Sequence, residues 1–449
     1  MDRSLLDEAF TTKNLTNAFD RIASNRGSRS IGVDGKTVTE VSAKLQEWIK
    51  SLRKNLRSGR FQASGIRTVD VPKFDKPGQT RRLGILTVRD RVVHAALKQA
   101  LQRRLEPKFS DRSFGFRPQR SVAGALAAVI QELDKAAANS KRKQLRFGCD
   151  LDVANCFPSI DHQVLAKILA ENEIDDKSVD FIMQLYQPGK SIVHWPHRWV
   201  RIHSRDIGIV QGSSLSPLLC NLYLHPLDQL IAKRYTRGDV QYFRYADDMV
   251  LFASSRSKLV TARNTIAEHL RKQYLRLRDA NASVGSVQKS VVWLGAEIYR
   301  RSDSANSSAC HGYRIREHKI KKMFSCVDQM TELPDHRLDR HVINIAYVVR
   351  SLNRKLLEWH HYYANADNAQ VVFYNLDRVT RERVGRLLGY CTGHRGRALN
   401  KRFRVWLPGG GDWTWQIDGV RLRTMFKTIG RRCVARRTRR FRSRQRTEV

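Results

Sequence analysis

Tyr245-Ala246-Asp247-Asp248 stands between two apolar runs, Gln241 to Phe243 and Met249 to Phe252. Successive side chains on a strand point to opposite faces, so neighbouring aspartates converge on one site only at the turn of a hairpin. The flanking runs permit that hairpin, and two carboxylates at its tip suggest a metal. An ordinary Asp-Asp turn between strands would carry the same residues. A third acid separates the two readings.

Asp152 ends the apolar-rich run Leu145 to Leu151. An acid at the end of a buried strand is costly unless it is paired or bound to metal. Brought beside Asp247 and Asp248, it would complete a carboxylate cluster able to hold two Mg²⁺ ions about 3.5 to 4 Å apart, the arrangement that activates a 3′-hydroxyl and stabilises leaving pyrophosphate. Position alone leaves Asp150 as an alternative ligand and Asp161 as a helix N-cap. Between the acids, Gly208-Ile209-Val210-Gln211-Gly212-Ser213-Ser214 opens into an apolar helix through Leu227. It reads either as a plain loop before a core helix or as a turn whose small residues let backbone approach a nucleotide and its templating base.

Composition supports a polyanionic partner. The 449 residues carry 82 Lys and Arg against 43 Asp and Glu, a net charge of +39. Each phosphate that such a surface neutralises releases condensed counterions, so nucleic acid is the first candidate. With 41% apolar and 8% aromatic residues the chain can build cores, which excludes disorder throughout. Two or three domains are expected at about 150 residues each. Acids in Met1 to Phe10, and the lack of any uninterrupted apolar stretch near 18 residues, argue against secretion and membrane spanning. The seven cysteines are scattered without a Cys-x-x-Cys pair, so neither a disulfide framework nor a zinc ribbon is expected, and the setting reads as cytoplasmic.

Helical patterns at Ala43 to Arg57 and Val122 to Ala138 alternate with β-rich runs at Arg67 to Pro72, Leu145 to Val153, Val240 to Tyr245, Met249 to Phe252 and Val291 to Tyr299, an α/β catalytic body. Arg301 to His311, rich in Ser, Ala and Asn, predicts a domain boundary. Beyond it, Val342, Ile345, Val349, Leu352, Leu356, Trp359 and Tyr363 form one apolar stripe, predicting a helical C-terminal domain. Arg431 to Arg446 has almost no apolar content and is expected to stay mobile until it meets phosphate.

The order and spacing of these motifs resemble the palm of a reverse transcriptase of the group II intron type and its bacterial relatives. Gly32-Val33-Asp34-Gly35 resembles that family's N-terminal extension. Val71-Pro72-Lys73, Arg81-Arg82-Leu83-Gly84-Ile85 and Asp90-Arg91-Val92-Val93 resemble its fingers, and Ser113-Phe114-Gly115-Phe116-Arg117-Pro118 extends the match toward the palm. Lys289-Ser290 and Trp293-Leu294-Gly295 continue the likeness. The resemblance implies an α/β (α+β) right-hand polymerase fold with fingers and palm, then a helical thumb. The corresponding boundaries are an N-terminal extension at 1–70, fingers and palm at 71–300, a maturase-like thumb at 312–400 and a basic extension at 401–449.

Carried over by position, the resemblance makes Asp152, Asp247 and Asp248 the catalytic, metal-binding carboxylates, with the Val153 carbonyl as a further ligand. It places Phe157 where an aromatic ring crowds a ribose 2′-hydroxyl, and Lys73 and Arg81 where fixed positive charge clamps a triphosphate. Gln211 and Gly212 match the loop shaping the nucleotide pocket, Lys289 a basic residue near the pyrophosphate, and Trp293, Leu294 and Gly295 the primer grip. Arg354, Lys355, His360 and His361 fall in the helical region that binds the parent RNA, while Trp359 and Tyr363 read first as core. A-form duplexes are recognised largely by shape and 2′-hydroxyls.

Some positions depart from the pattern: Val210 and Arg82 stand where the family usually has proline, and Ser290 where it has threonine. Neither paired cysteines nor a His-Asn-His cluster lies beyond the thumb, so target cleavage in the manner of mobile introns is not expected. Trp406, Trp413 and Trp415 could stack on single-stranded bases or serve as core. The reading is an RNA-directed DNA polymerase using two Mg²⁺ ions, a structured RNA template, a DNA or RNA primer and dNTPs. A stand-alone bacterial enzyme with a cognate non-coding RNA and an antiviral defence role is set against an intron-encoded maturase acting mainly as an RNA-binding splicing factor.

Overall fold

The computed structural model describes residues 4–72, 78, 80–139, 144–186, 192–194, 198–200, 207–278, 284–301, 310–333, 343–406 and 413–425. They form a mixed α/β structure that divides into two units, residues 1–120 with 140–285, and residues 121–139 with 286–449. The division falls ahead of the Arg301 to His311 stretch and assigns the Val122–Ala138 helix to the second unit.

In the first unit, strands β1 (Ile66–Pro72), β2 (Thr80–Ile85), β4 (Ile192–His194) and β5 (Arg198–Val200) make one sheet in the order β2-β1-β4-β5. A second sheet places β7 (Asp248–Ala253) between β6 (Val240–Tyr245) and β3 (Phe147–Asp152), antiparallel to both. Every residue of β7 from Met249 to Ala253 is fully buried, because helices cover the strand on top of its hydrogen-bonded neighbours. Arg256–Lys272, capped by Ser255 accepting from the Lys258 N–H, packs on this sheet. At the N-terminus, Thr11 caps Thr12–Ala23, and the buried Asn14 amide donates to the Ala9 and Ala96 carbonyls at 2.8 and 3.0 Å, tying that helix to Val88–Leu105.

The helix Ser216–Arg234 is buried on nearly every side and carries Asn221 and Asp228 into the core. Both meet Arg244, whose side chain is fully buried in the middle of β6. Its Nε donates to Asp228 Oδ1 at 2.9 Å, and one Nη donates to Asn221 Oδ1 and to the Ala246 carbonyl, each at 2.9 Å. Tyr242 Oη donates to the same Asp228 oxygen at 3.0 Å. Burial alone would lower the Arg244 pKa, but Asp228 beside it holds the guanidinium above its ordinary range. A buried charge is tolerable in this way only when paired and fully hydrogen-bonded.

The second unit combines the helices Val122–Ala138, Glu317–Met330, Ile345–Tyr363, Ala369–Thr392 and Gly396–Phe403 with two small antiparallel sheets. One contains Val291–Trp293, Ala296–Arg300 and His311–Ile315; the run read in the sequence as a single strand, Val291 to Tyr299, is thus a hairpin. The other contains Arg404–Trp406, Trp413–Ile417 and Val420–Arg421. It is fastened to the helices by Trp415, whose buried indole donates to the Arg381 carbonyl at 2.7 Å, and by Asp377, which accepts from the Met425 N–H at 2.8 Å. Trp415 is therefore core, whereas Trp413 is half-buried beneath the Arg404 guanidinium, 4.4 Å from its ring centre. In the Ile345–Tyr363 helix, Val349, Leu352, Leu356 and Tyr363 are buried as the stripe predicts, and Trp359 is half-buried. Among the described residues no helix is long and apolar enough to cross a membrane.

Arg244→Met is expected to cost about 3–5 kcal/mol, because it strands the Asp228 charge in the core. Combining it with Asp228→Leu should recover most of that loss, since a buried pair replaced by apolar groups is often near neutral. Urea denaturation of the two variants and the parent protein checks both expectations.

Candidate active site

The register of the second sheet brings the acids together. Asp152 lies opposite Asp248 across β3 and β7, and Tyr245 lies opposite Asp248 across β6 and β7. Between those strands the turn is Ala246-Asp247, with Ala246 in the left-handed region at φ +58°. The Val153 N–H donates to the Asp247 carbonyl at 3.2 Å, which pins the turn to the end of β3. Asp150 shares a face with Asp152 by strand period but is exposed and paired with Val250, and Asp161 caps His162–Glu171 by accepting from the Val164 N–H at 3.0 Å. Of the alternatives left open by position, Asp152 is the one facing the hairpin acids.

Gly115 braces the turn from outside. A Cβ there would come within 2.3 Å of the Ala246 nitrogen, so only glycine lets the two backbones touch, and its carbonyl accepts from the Asn221 amide at 2.6 Å.

A cleft of about 370 Å³ opens beside Asp247, lined among others by Arg81, Phe157, Gln211 and Arg278. Phe157 is half-buried in the single turn Cys156–Ser159, with its carbonyl accepting from the Ile209 N–H at 2.9 Å. The Gly84 N–H of β2 donates to the Gln211 carbonyl at 2.6 Å. Gly212 has φ +115°, and a Cβ on it would meet the Gly84 oxygen at 2.4 Å. Beneath this loop the buried His94 Nδ1 lies 2.6 Å from Ser213 Oγ, a support with no signal in the sequence. Lys73 lies outside the described residues, as does the run Arg431 to Arg446.

The electrostatics suit an added cation. Burial pushes the Asp247 carboxyl above the ordinary aspartate range, and Arg278, Arg81 and Arg244 pull it back only in part. Asp152 is paired with Arg278 Nη1 at 2.8 Å, and its carbonyl accepts from the Arg278 N–H at 2.8 Å. Among the described residues no three His, Cys, Asp or Glu side chains are already gathered as a ligand set. A half-desolvated carboxylate beside two others nevertheless supplies the hard oxygen donors that Mg²⁺ prefers. Arg278, which the sequence did not single out, is the cation such an ion would meet.

In the second unit, Trp293 is fully buried, and its hairpin closes through the half-buried turn Leu294-Gly295, with φ +49° and +73°. Two positive φ values in a two-residue loop match the twist of the flanking strands. Tyr362 Oη donates to the Leu294 carbonyl at 2.8 Å. Lys289 is exposed in the preceding turn. On the Ile345–Tyr363 helix, Arg354 and His361 are exposed, and Lys355 is half-buried and bonded to Glu358 at 3.2 Å. His360 turns inward against Phe373, ring centres 5.8 Å apart, and burial, with His361 and Arg423 nearby, lowers its pKa.

Comparison with known proteins matches this arrangement to a family. The model of the reverse transcriptase (RNA-dependent DNA polymerase) family matches residues 71–298. Protein YkfC of Escherichia coli (strain K12) is 28% identical over 312 residues, covering 62% of this chain and 78% of that protein. The group II intron-encoded protein LtrA of Lactococcus lactis subsp. cremoris is 31% identical over 222 residues, 49% of this chain and 34% of LtrA. The putative COX1/OXI3 intron 2 protein of Saccharomyces cerevisiae is 27% identical over 218 residues, 49% of this chain and 23% of that protein. The chain thus spans about a third or less of these intron-encoded relatives. It belongs to the reverse transcriptase (RNA-dependent DNA polymerase) family and is group II intron-like within it.

Proposed function

We propose that this protein copies a structured RNA into DNA, with Asp152, Asp247 and Asp248 as its catalytic carboxylates. The observation that carries the reading is the register that sets Asp152 against Asp248 with Asp247 in the adjoining turn, beside a cleft lined by Arg81, Phe157 and Gln211. Reverse transcriptases as a family use divalent metal ions. Two Mg²⁺ ions held by the three carboxylates and the Val153 carbonyl would activate the primer 3′-hydroxyl and stabilise the leaving pyrophosphate.

The chain's own groups do the rest. Arg81, with Lys73, supplies fixed charge against the triphosphate, and Arg278 releases Asp152 as the site loads. Phe157 occupies the space a ribose 2′-hydroxyl would need. Gln211 and Gly212 present backbone to the incoming nucleotide, Lys289 serves the pyrophosphate side, and the Trp293-Leu294-Gly295 turn grips the primer. Arg354, Lys355, His360 and His361 contact RNA, with the His360 ring also packed on Phe373. Residues 1–70 act as an N-terminal extension, 71–300 as fingers and palm, 312–400 as thumb and 401–449 as a basic extension.

The template we favour is a cognate non-coding RNA of a stand-alone bacterial element, working in the cytoplasm, with antiviral defence as its use. Similarity to intron-encoded proteins supports the second reading, a maturase that acts by binding its parent RNA. Expressing the protein with its native flanking DNA and sequencing co-purified nucleic acid separates them. One enriched RNA with matching cDNA is expected, and its genomic context distinguishes intron from stand-alone element. The same RNA without cDNA favours the maturase.

Asp247→Ala with Asp248→Ala should cut cDNA synthesis at least about a thousandfold, the equivalent of several kcal/mol of lost charge stabilisation. Phe157→Ala should narrow the preference for dNTP over NTP by on the order of tenfold to a few hundredfold in kcat/KM. An unchanged ratio would remove Phe157 from the gate. Arg278→Gln should tighten Mn²⁺ binding to the nucleotide-free protein on the order of fivefold, as ~1 kcal/mol of relieved repulsion gives. Calorimetric titration reads that shift, and weaker binding would show that the arginine helps to build the site.

A further inference from the structure

The two phenylalanines of Ser113-Phe114-Gly115-Phe116-Arg117-Pro118 have opposite fates. Phe114 is buried, with the Arg120 guanidinium 5.2 Å above its ring centre. Phe116 is 51% exposed, and its backbone sits in the left-handed region at φ +58°. A bulky side chain rarely adopts that conformation, because its Cβ crowds the backbone. Exposure and strain thus fall on one residue.

The surroundings prevent relaxation. Gly115 is wedged against Ala246 and held by Asn221. Phe114 N–H donates to the Arg244 carbonyl at 2.8 Å. On the other side the buried Arg117 donates to the Ser113 carbonyl at 2.7 Å and to Glu106 at 2.9 Å, and Pro118 fixes the chain beyond. The ring is therefore held out rigidly, one residue from the backbone that touches the catalytic turn. Strained residues that their surroundings over-determine cluster at ligand contacts.

We infer that Phe116 is a nucleic-acid stacking residue, packing on a base or sugar of the primer–template duplex where its primer strand reaches Asp247 and Asp248. The chemistry fits: aromatic faces stack on any base regardless of sequence, and a chain of net charge +39 attracts the phosphates that bring one there. Phe116 does not line the cleft beside Asp247, which fits a contact with the primer–template and not with the incoming nucleotide. This role rests on the polymerase function proposed for the same site.

The test uses the full chain and an RNA template annealed to a DNA primer with 2-aminopurine near its 3′-end. Phe116→Gly should raise Tm, since glycine accepts the left-handed backbone without strain, yet weaken duplex binding about tenfold. KM for primer–template should rise while KM for dNTP holds, and Phe116→Trp should keep wild-type affinity and the 2-aminopurine quenching that Phe116→Gly loses. A lowered Tm in Phe116→Gly with duplex affinity within twofold of wild type would overturn the inference and make Phe116 structural. Wild-type protein that binds the duplex without extending it defeats the polymerase reading alone, because the binding comparison still decides Phe116.

Discussion

The buried ion pair between Arg244 and Asp228 is what the acid-bearing end of the sheet hangs from. A guanidinium with five donors can satisfy a carboxylate, an amide and a carbonyl together, and Arg244 does so for Asp228, Asn221 and Ala246. The Ala246 carbonyl belongs to the turn that carries Asp247. The core helix Ser216–Arg234 therefore holds the acid-bearing hairpin by hydrogen bonds as well as by packing, and the same Asn221 reaches Gly115 on the far side of that turn. A left-handed alanine, a glycine in backbone contact and a fully buried charge all meet within this one knot. Each alone would be a liability in an ordinary fold; together they fix two carboxylates where a loose turn would let them swing.

The charge distribution around the turn arises from the same geometry. Burial in the turn raises the energy of the Asp247 charge, and the protein offsets part of this with arginines at several distances: Arg244 beneath, Arg81 across the cleft and Arg278 against Asp152. Of these, Arg244 is locked in the core, whereas Arg278 is more than a third exposed and can leave. The site is thus preorganised in its backbone and adjustable in one countercharge, as the proposed metal-dependent chemistry needs.

Much of this was legible in the residues. The apolar runs flanking Tyr245-Ala246-Asp247-Asp248 permit a hairpin, and the apolar-rich run ending at Asp152 reads as a third strand, because short apolar runs and turn residues are local signals. Choosing Asp152 over Asp150 needed register, which depends on pairing and not on either strand's own sequence. Arg244 was overlooked although an arginine inside Gln241 to Tyr245 is conspicuous, since its partner Asp228 sits sixteen positions earlier on a helix that reads as core. Arg278 gave no signal in so basic a chain. The small sheet containing Trp413–Ile417 was missed because its strands are short and stabilised from outside, by Arg381 and Asp377 on a neighbouring helix. The side of the Ile345–Tyr363 helix that His360 takes, against Phe373, is set by its neighbour on another helix and has no local signal.

The most direct test is a crystal structure of the protein with primer–template, a non-hydrolysable dNTP analogue and Mn²⁺, with the metal located by anomalous scattering. Mn²⁺ is predicted between Asp152, Asp247 and Asp248, with the Arg244 to Ala246 bond intact and Arg278 swung from Asp152 toward the triphosphate. Metal bound elsewhere, or Arg278 still closed on Asp152 beside a correctly seated nucleotide, would contradict that mechanism.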